Sequence, residues 1–179
     1  MVPKFCRMAW RVDDMDAFTQ RMHDLFGFTF FTPGLIAQVY PDATFTLRIS
    51  YGKVEGWPER GRQVPFQTTI GGTFERATGA PPFDLAPAFA AKEDEIDKSV
   101  TYNFVTTNDI IGGNSGSPVI DKTGTVIGAA FDGNIHSLGG NYGYDPVLNR
   151  TVVVSAASLQ EALETIYPSP RLVKELAGK

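Results

Sequence analysis

Gly112-Gly113-Asn114-Ser115-Gly116-Ser117-Pro118 stands between two runs with strand character, residues 101–107 before it and 118–120 after it. A serine flanked by glycines at such a junction is suited to nucleophilic chemistry. The attacking hydroxyl must sit on a tight turn whose backbone N–H groups converge on one point, where a developing oxyanion can be held. Glycine permits that turn because it has no Cβ to penalise a positive φ. In this reading Ser115 is the nucleophile, and the N–H groups of Gly113 and Ser115 hold the oxyanion. An isolated Asn-Ser-Gly-Ser is also an ordinary hairpin turn, so the surrounding chain has to decide.

Outward from the loop the pattern is that of short strands and turns. Residues 118–120 run into Asp121-Lys122-Thr123-Gly124, a hairpin signature, with 125–131 as the return strand. Residues 151–155, Thr-Val-Val-Val-Ser, read as a last strand. Nine of the 18 glycines fall between 112 and 143, which makes this stretch tight turns around short strands. Ser158 and Glu161 have capping-box spacing, and Leu159, Leu163, Ile166 and Tyr167 recur at helical spacing. Ser169-Pro170 starts a final short helix carrying Leu172, Val173 and Leu176.

Upstream the signals are weaker. Residues 13–27 read as a helix with Phe18, Met22, Leu25 and Phe26 on one face, and 44–51 alternate as a half-buried strand with Phe45, Leu47, Ile49 and Tyr51 inward. The stretch 58–99 is rich in proline, glycine and charge. Its weak strand signals are at 64–70 and 72–75, and 86–98 reads as a helix or a solvated excursion. It carries too few large apolar residues for a core of its own, so an insertion fits better than a second domain. The order is mostly β with a C-terminal helix.

The 179 residues suffice for one domain with a real core, and 42% hydrophobic with 20% charged residues is a globular composition. A net charge of −4 gives no footprint for nucleic acid or an anionic membrane. Cys6 is the single cysteine, so no internal disulfide framework exists. No apolar run reaches the length of a membrane span, and the N-terminus lacks the apolar centre of a signal peptide. One cysteine and two separated histidines make no protein-only zinc site, and neither a metal nor a cofactor is expected.

Asn108-Asp109 through Asp132-Gly133-Asn134, followed by residues 145–154 (DPVLNRTVVV), closely resembles the bacterial dipeptidyl-peptidase 7 and 11 family, and 41–57 resembles its approach to this region. That family consists of chymotrypsin-fold serine exopeptidases with an added helical domain. The resemblance covers roughly 40–167; residues 1–40 stay unassigned. It implies that 41–179 is the C-terminal half of a peptidase domain: the second barrel of a trypsin-like fold, with a C-terminal helix. It further implies that Ser115 is the nucleophile and that Asp132 pairs with the free α-amino group of a peptide. Gly133 would shape the pocket for the side chain before the cleaved bond. A glycine there goes with apolar side chains and an arginine with acidic ones. Dipeptide release after apolar residues, a homodimer, and a periplasmic or cell-surface location follow as expectations. Asp109 could polarise the loop or simply form an Asx-turn.

A serine hydroxyl needs a base, and in chymotrypsin-type enzymes the order is His, Asp, Ser. His23 lies on the expected first helix beside Asp24 and reads as a solvated helix residue. His136 follows the nucleophile and reads as a pocket residue rather than the base. The triad histidine and aspartate are therefore missing. The chain reads as part of a longer peptidase, or as an inactive remnant that binds peptides or partners. A phosphate-binding loop is disfavoured, because no Lys-Ser/Thr follows the glycines and a strand, not a helix, succeeds them.

Overall fold

The computed structural model describes residues 49–140 and 142–178. The expected helix at 13–27 and most of the expected strand at 44–51 lie outside them. The described elements run β1 (Trp57–Glu59), β2 (Arg62–Val64), β3 (Gln67–Thr69), α1 (Ile70–Arg76), α2 (Pro87–Ala90), β4 (Thr101–Thr106), β5 (Pro118–Ile120) and β6 (Val126–Gly133). A 3-10 turn (Ile135–Gly139), β7 (Thr151–Ser155), α3 (Ala156–Glu161), a π turn (Ala162–Ile166) and α4 (Pro170–Leu176) follow. The fold is mostly β, with a C-terminal helix, as the sequence indicates.

Five of the described strands form one antiparallel sheet in the order β3-β4-β7-β6-β5, and β1 and β2 make a separate hairpin. β7 is central because its three consecutive valines suit a strand flanked on both edges. Thr151, Val153 and Ser155 alternate as its buried residues, and Val153 is fully buried. Val153 joins Phe104, Val119 and Ala130 in a core that ties β4, β5, β6 and β7 together. Each such large apolar side chain contributes about 1.5–3 kcal/mol on burial. Gly128 belongs to this packing: a Cβ there would stand 2.7 Å from Val153 Cγ1 and 3.2 Å from Phe104 Cε1.

A second core gathers Ile70, Ile96 and Ile166, with Phe74, Phe89 and Tyr102 packed against it. It explains why 72–75, expected as a weak strand, is helical. The Thr69 hydroxyl caps the turn by accepting from Gly72 N at 3.3 Å, and helical spacing brings Ile70 and Phe74 to the same core. Of the stretch 86–98, only Pro87–Ala90 is regular helix.

The capping box expected at Ser158 is also displaced. β7 passes into α3 without a loop, so the cap falls on the last strand residue: Ser155 Oγ accepts from Ala157 N at 3.1 Å. Ser158 instead is buried and donates to Tyr102 O and Ser155 O at 3.2 and 2.9 Å. Glu161 accepts from Asp97 N at 3.1 Å and ties the insertion to this helix. α4 begins at Pro170 after Ser169, as expected, although Leu172 and Leu176 remain exposed. No described helix is long and apolar enough to cross a membrane.

Candidate active site

The loop from β4 to β5 is pinned at both ends. At its start Asn108 O accepts from Thr151 Oγ1 at 2.8 Å, Asp109 O accepts from Ser50 Oγ at 2.8 Å, and the Tyr144 phenol donates to Thr107 O. Burial raises the Tyr144 phenol above its ordinary pKa, which keeps it a proton donor. At the loop's end Gly116 N donates to Ala130 O at 2.7 Å and Ala130 N donates to Ser117 O at 2.9 Å. These two rungs dock the serine turn onto β6 before β5 begins.

Within the turn, Gly113 and Gly116 have φ of 95° and 83°, values that glycine adopts without strain. Asn114 is buried, with its backbone N and side-chain amide both donating to Ile111 O, and Ser117 N donates to Asn114 O at 3.0 Å. The N–H groups of Asn114, Gly116 and Ser117 are thus taken. Those of Gly113 and Ser115 have no acceptor among the described residues. The same holds for the N–H of Gly112 at the start of the turn.

Ser115 is exposed, and its hydroxyl donates to Phe131 O at 3.2 Å. That carbonyl is available because β6 bulges there. Ala130 pairs with Val153 and Asp132 with Val152, which leaves Phe131 as the extra residue. The bulge therefore brings the next residues, Asp132 and Gly133, alongside the serine turn. Asp132 is exposed, and its carboxylate accepts from Gly133 N at 2.8 Å. Gly133 does not face open space, since a Cβ there would stand 2.9 Å from Ser137 Cβ and overlap Ser137 Oγ. Its uncharged character is its own, but the room beside it is set by Ser137.

No imidazole or carboxylate among the described residues hydrogen-bonds the Ser115 hydroxyl. His136 Nε2 instead lies 2.6 Å from Glu59 Oε2, joining the 3-10 turn to the β1–β2 hairpin. The His136 contact, and secondarily the Trp57 indole, holds the Glu59 carboxyl below its ordinary pKa. His23 lies outside the described residues. Among those described, no cluster of His, Cys, Asp and Glu could hold a metal ion.

Several supporting residues escaped the sequence reading. Arg150 is 2% exposed, and its guanidinium donates to the carbonyls of Glu55, Gly56, Pro146 and Asn149. Asn134 exchanges bonds with the start of β7: Asn134 N to Arg150 O at 2.9 Å, Arg150 N to Asn134 Oδ1 at 3.1 Å, and Asn134 Nδ2 to Leu148 O at 2.7 Å. Asn149 and Arg150 lead into the expected strand at 151–155, and nothing local announces that they and Thr151 are buried. Only the partners from 55–56 and 134, distant along the chain, give the guanidinium its place.

Residues 28–178 match the family described as Peptidase S46. Dipeptidyl-peptidase 7 of Porphyromonas gingivalis is 36% identical over 161 residues, covering 79% of this chain and 22% of that protein. The Asp/Glu-specific dipeptidyl-peptidase of Shewanella putrefaciens is 30% identical over 170 residues, covering 77% and 23%. In three dimensions the chain resembles Porphyromonas endodontalis DPP11 in its complex with the dipeptide Arg-Asp. The TM-score is 0.65 at 26% identity, over 71% of this chain and 20% of that one. The chain thus spans about a fifth of the length of the relatives it matches. With a family match over most of its length, the chain belongs to the Peptidase S46 family.

Proposed function

We propose that this chain carries the nucleophile and part of the substrate pocket of a serine-type dipeptidyl peptidase, as the second barrel of a trypsin-like domain. The observation that supports it most is the serine turn, where the N–H groups of Gly113 and Ser115 have no acceptor among the described residues, beside an exposed hydroxyl. Ser115 Oγ attacks the carbonyl carbon after the second residue of a peptide, and its proton passes to a base from outside the described residues. The two N–H groups stabilise the resulting oxyanion. Collapse expels the rest of the peptide as an amine that takes up the proton, leaving the dipeptide esterified to Ser115. Water then hydrolyses the ester.

Asp132 pairs with the α-ammonium group that marks the peptide's N-terminus, and its exposed carboxylate beside the serine turn supports that role. The absence of any charge at Gly133 supports apolar side chains at the second position. The same reading assigns residues 41–179 to the second half of the peptidase domain. It extends to a homodimer and to an exported location, in the periplasm or at the cell surface.

The test is labelling with a fluorophosphonate probe. The folded chain is expected to label at Ser115, and Ser115→Ala to stay unlabelled. A correctly folded chain that does not react overturns catalysis by this molecule, in which case the Asp132 and Gly133 region stands only as a peptide-binding surface.

A further inference from the structure

From the packing at Gly133 we infer that Ser137 is a specificity-determining residue of the pocket beside Ser115. The inference rests on the proposed peptide-binding reading of that site. Ser137 occupies the position a side chain at 133 would take, so residue 133 cannot be judged alone. The pair decides how much room lies along this part of β6.

Ser137 is also held so that it cannot easily withdraw. Its hydroxyl donates to Asn134 O at 2.6 Å and its N–H to the same carbonyl at 3.0 Å. Asn134 is itself locked to β7 by three bonds with Leu148 and Arg150. On the other side the neighbouring His136 is tied to Glu59 on the β1–β2 hairpin. A short 3-10 turn anchored at both flanks presents a fixed side chain to Gly133. Replacing Ser137 by a smaller residue removes atoms from a rigid wall that does not collapse to fill the gap. Enlarging residue 133 has the opposite effect, because Ser137 would have to give up its hydroxyl bond to Asn134 O to make room.

Two measurements on the full chain test this. In thermal unfolding, Gly133→Ala is expected to lower the melting temperature, and Ser137→Gly in the same molecule to restore most of the loss. Strictly additive effects overturn the steric pairing. In dipeptide titrations followed by NMR, with Leu-Ala, Leu-Phe and Leu-Glu as probes, Ser137→Gly is expected to shift the ratio of affinities toward Leu-Phe over Leu-Ala by roughly fivefold or more. A merely structural role would weaken all three dipeptides together and leave the ratio unchanged, which overturns the inference. Dipeptide binding needs no general base. A chain that shows the shift yet resists fluorophosphonate labelling therefore supports the role of Ser137 while overturning the catalytic reading. A folded chain that binds none of the three overturns the pocket and the role of Ser137 together.

Discussion

The guanidinium of Arg150 grips the carbonyl of Gly56 with two donors, Nε at 3.1 Å and Nη2 at 2.7 Å, across 94 residues of sequence. Gly56 leads into the β1–β2 hairpin, and Arg150 precedes the central strand. The contact therefore fixes the hairpin bearing Glu59 against the sheet bearing the serine turn. Glu55 adds little to it, since its carboxylate is half exposed and 4.0 Å away.

Replacing Arg150 by methionine keeps much of the side-chain length and removes every donor. The carbonyls of Glu55, Gly56, Pro146 and Asn149 then lose their partner, those of Gly56 and Asn149 in a buried setting. The expected loss is about 3 kcal/mol in urea unfolding. Arg150→Lys is expected to recover less than half of it, because an ammonium cannot span the same fork of acceptors. Stability within about 0.5 kcal/mol of wild type for the methionine variant would remove Arg150 from its place as the clamp.

Two buried side chains near the loop lack hydrogen-bond partners among the described residues: the Thr106 hydroxyl, and the Asn108 amide at both its polar atoms. Thr106→Val exchanges that hydroxyl for a methyl group of the same shape, and is expected to stabilise the chain by about 1 kcal/mol. Asn108→Asp preserves shape and adds a buried charge, and is expected to destabilise by at least about 2 kcal/mol near neutral pH. Denaturant midpoints for the two variants should move in opposite directions. Movement in the same direction contradicts the burial argument.

Acid should loosen the hairpin. The His136 contact, ahead of the Trp57 indole, depresses the pKa of Glu59, and the Thr123 hydroxyl does the same for Asp121 in its turn. A depressed carboxylate contributes stability that is fully present above its unfolded value, about 4 for either side chain. The contribution is lost as pH falls through the lower folded value. Glu59→Gln separates the first group from the second. Its melting temperature is expected below that of wild type near neutral pH, with the gap closing in acid. A gap that stays constant down to pH of about 3 assigns no part of the acid response to Glu59.

The turn residues around Ser115 were legible because their constraints are local. Glycines on both sides of the serine, and the Asp121–Gly124 turn, dictate backbone conformation within a few residues. The structure places Gly113 and Gly116 at positive φ and makes Asp121 Oδ1 the acceptor for Thr123 N at 2.8 Å and Thr125 N at 3.0 Å. β4, β7 and α4 were legible for the same reason, their residue types matching a single period or cap. The α3 cap and the helix at 72–75 were misread because their determinants are not local. Ser155 became the cap only because β7 enters the helix directly, and α1 exists because Ile70 and Phe74 meet Ile96 and Ile166.

By itself, then, the sequence determined a mostly β chain with a glycine-flanked serine turn, and a resemblance specific enough to name the family. Tertiary structure alone decided what surrounds that turn: the β6 bulge that offers Phe131 O to Ser115, the Arg150 clamp on Gly56, and Ser137 standing where a side chain at 133 would go. The physical reason is range. A turn is set by the φ preferences of adjacent residues, whereas a pocket wall is set by which distant backbones the sheet brings within van der Waals contact.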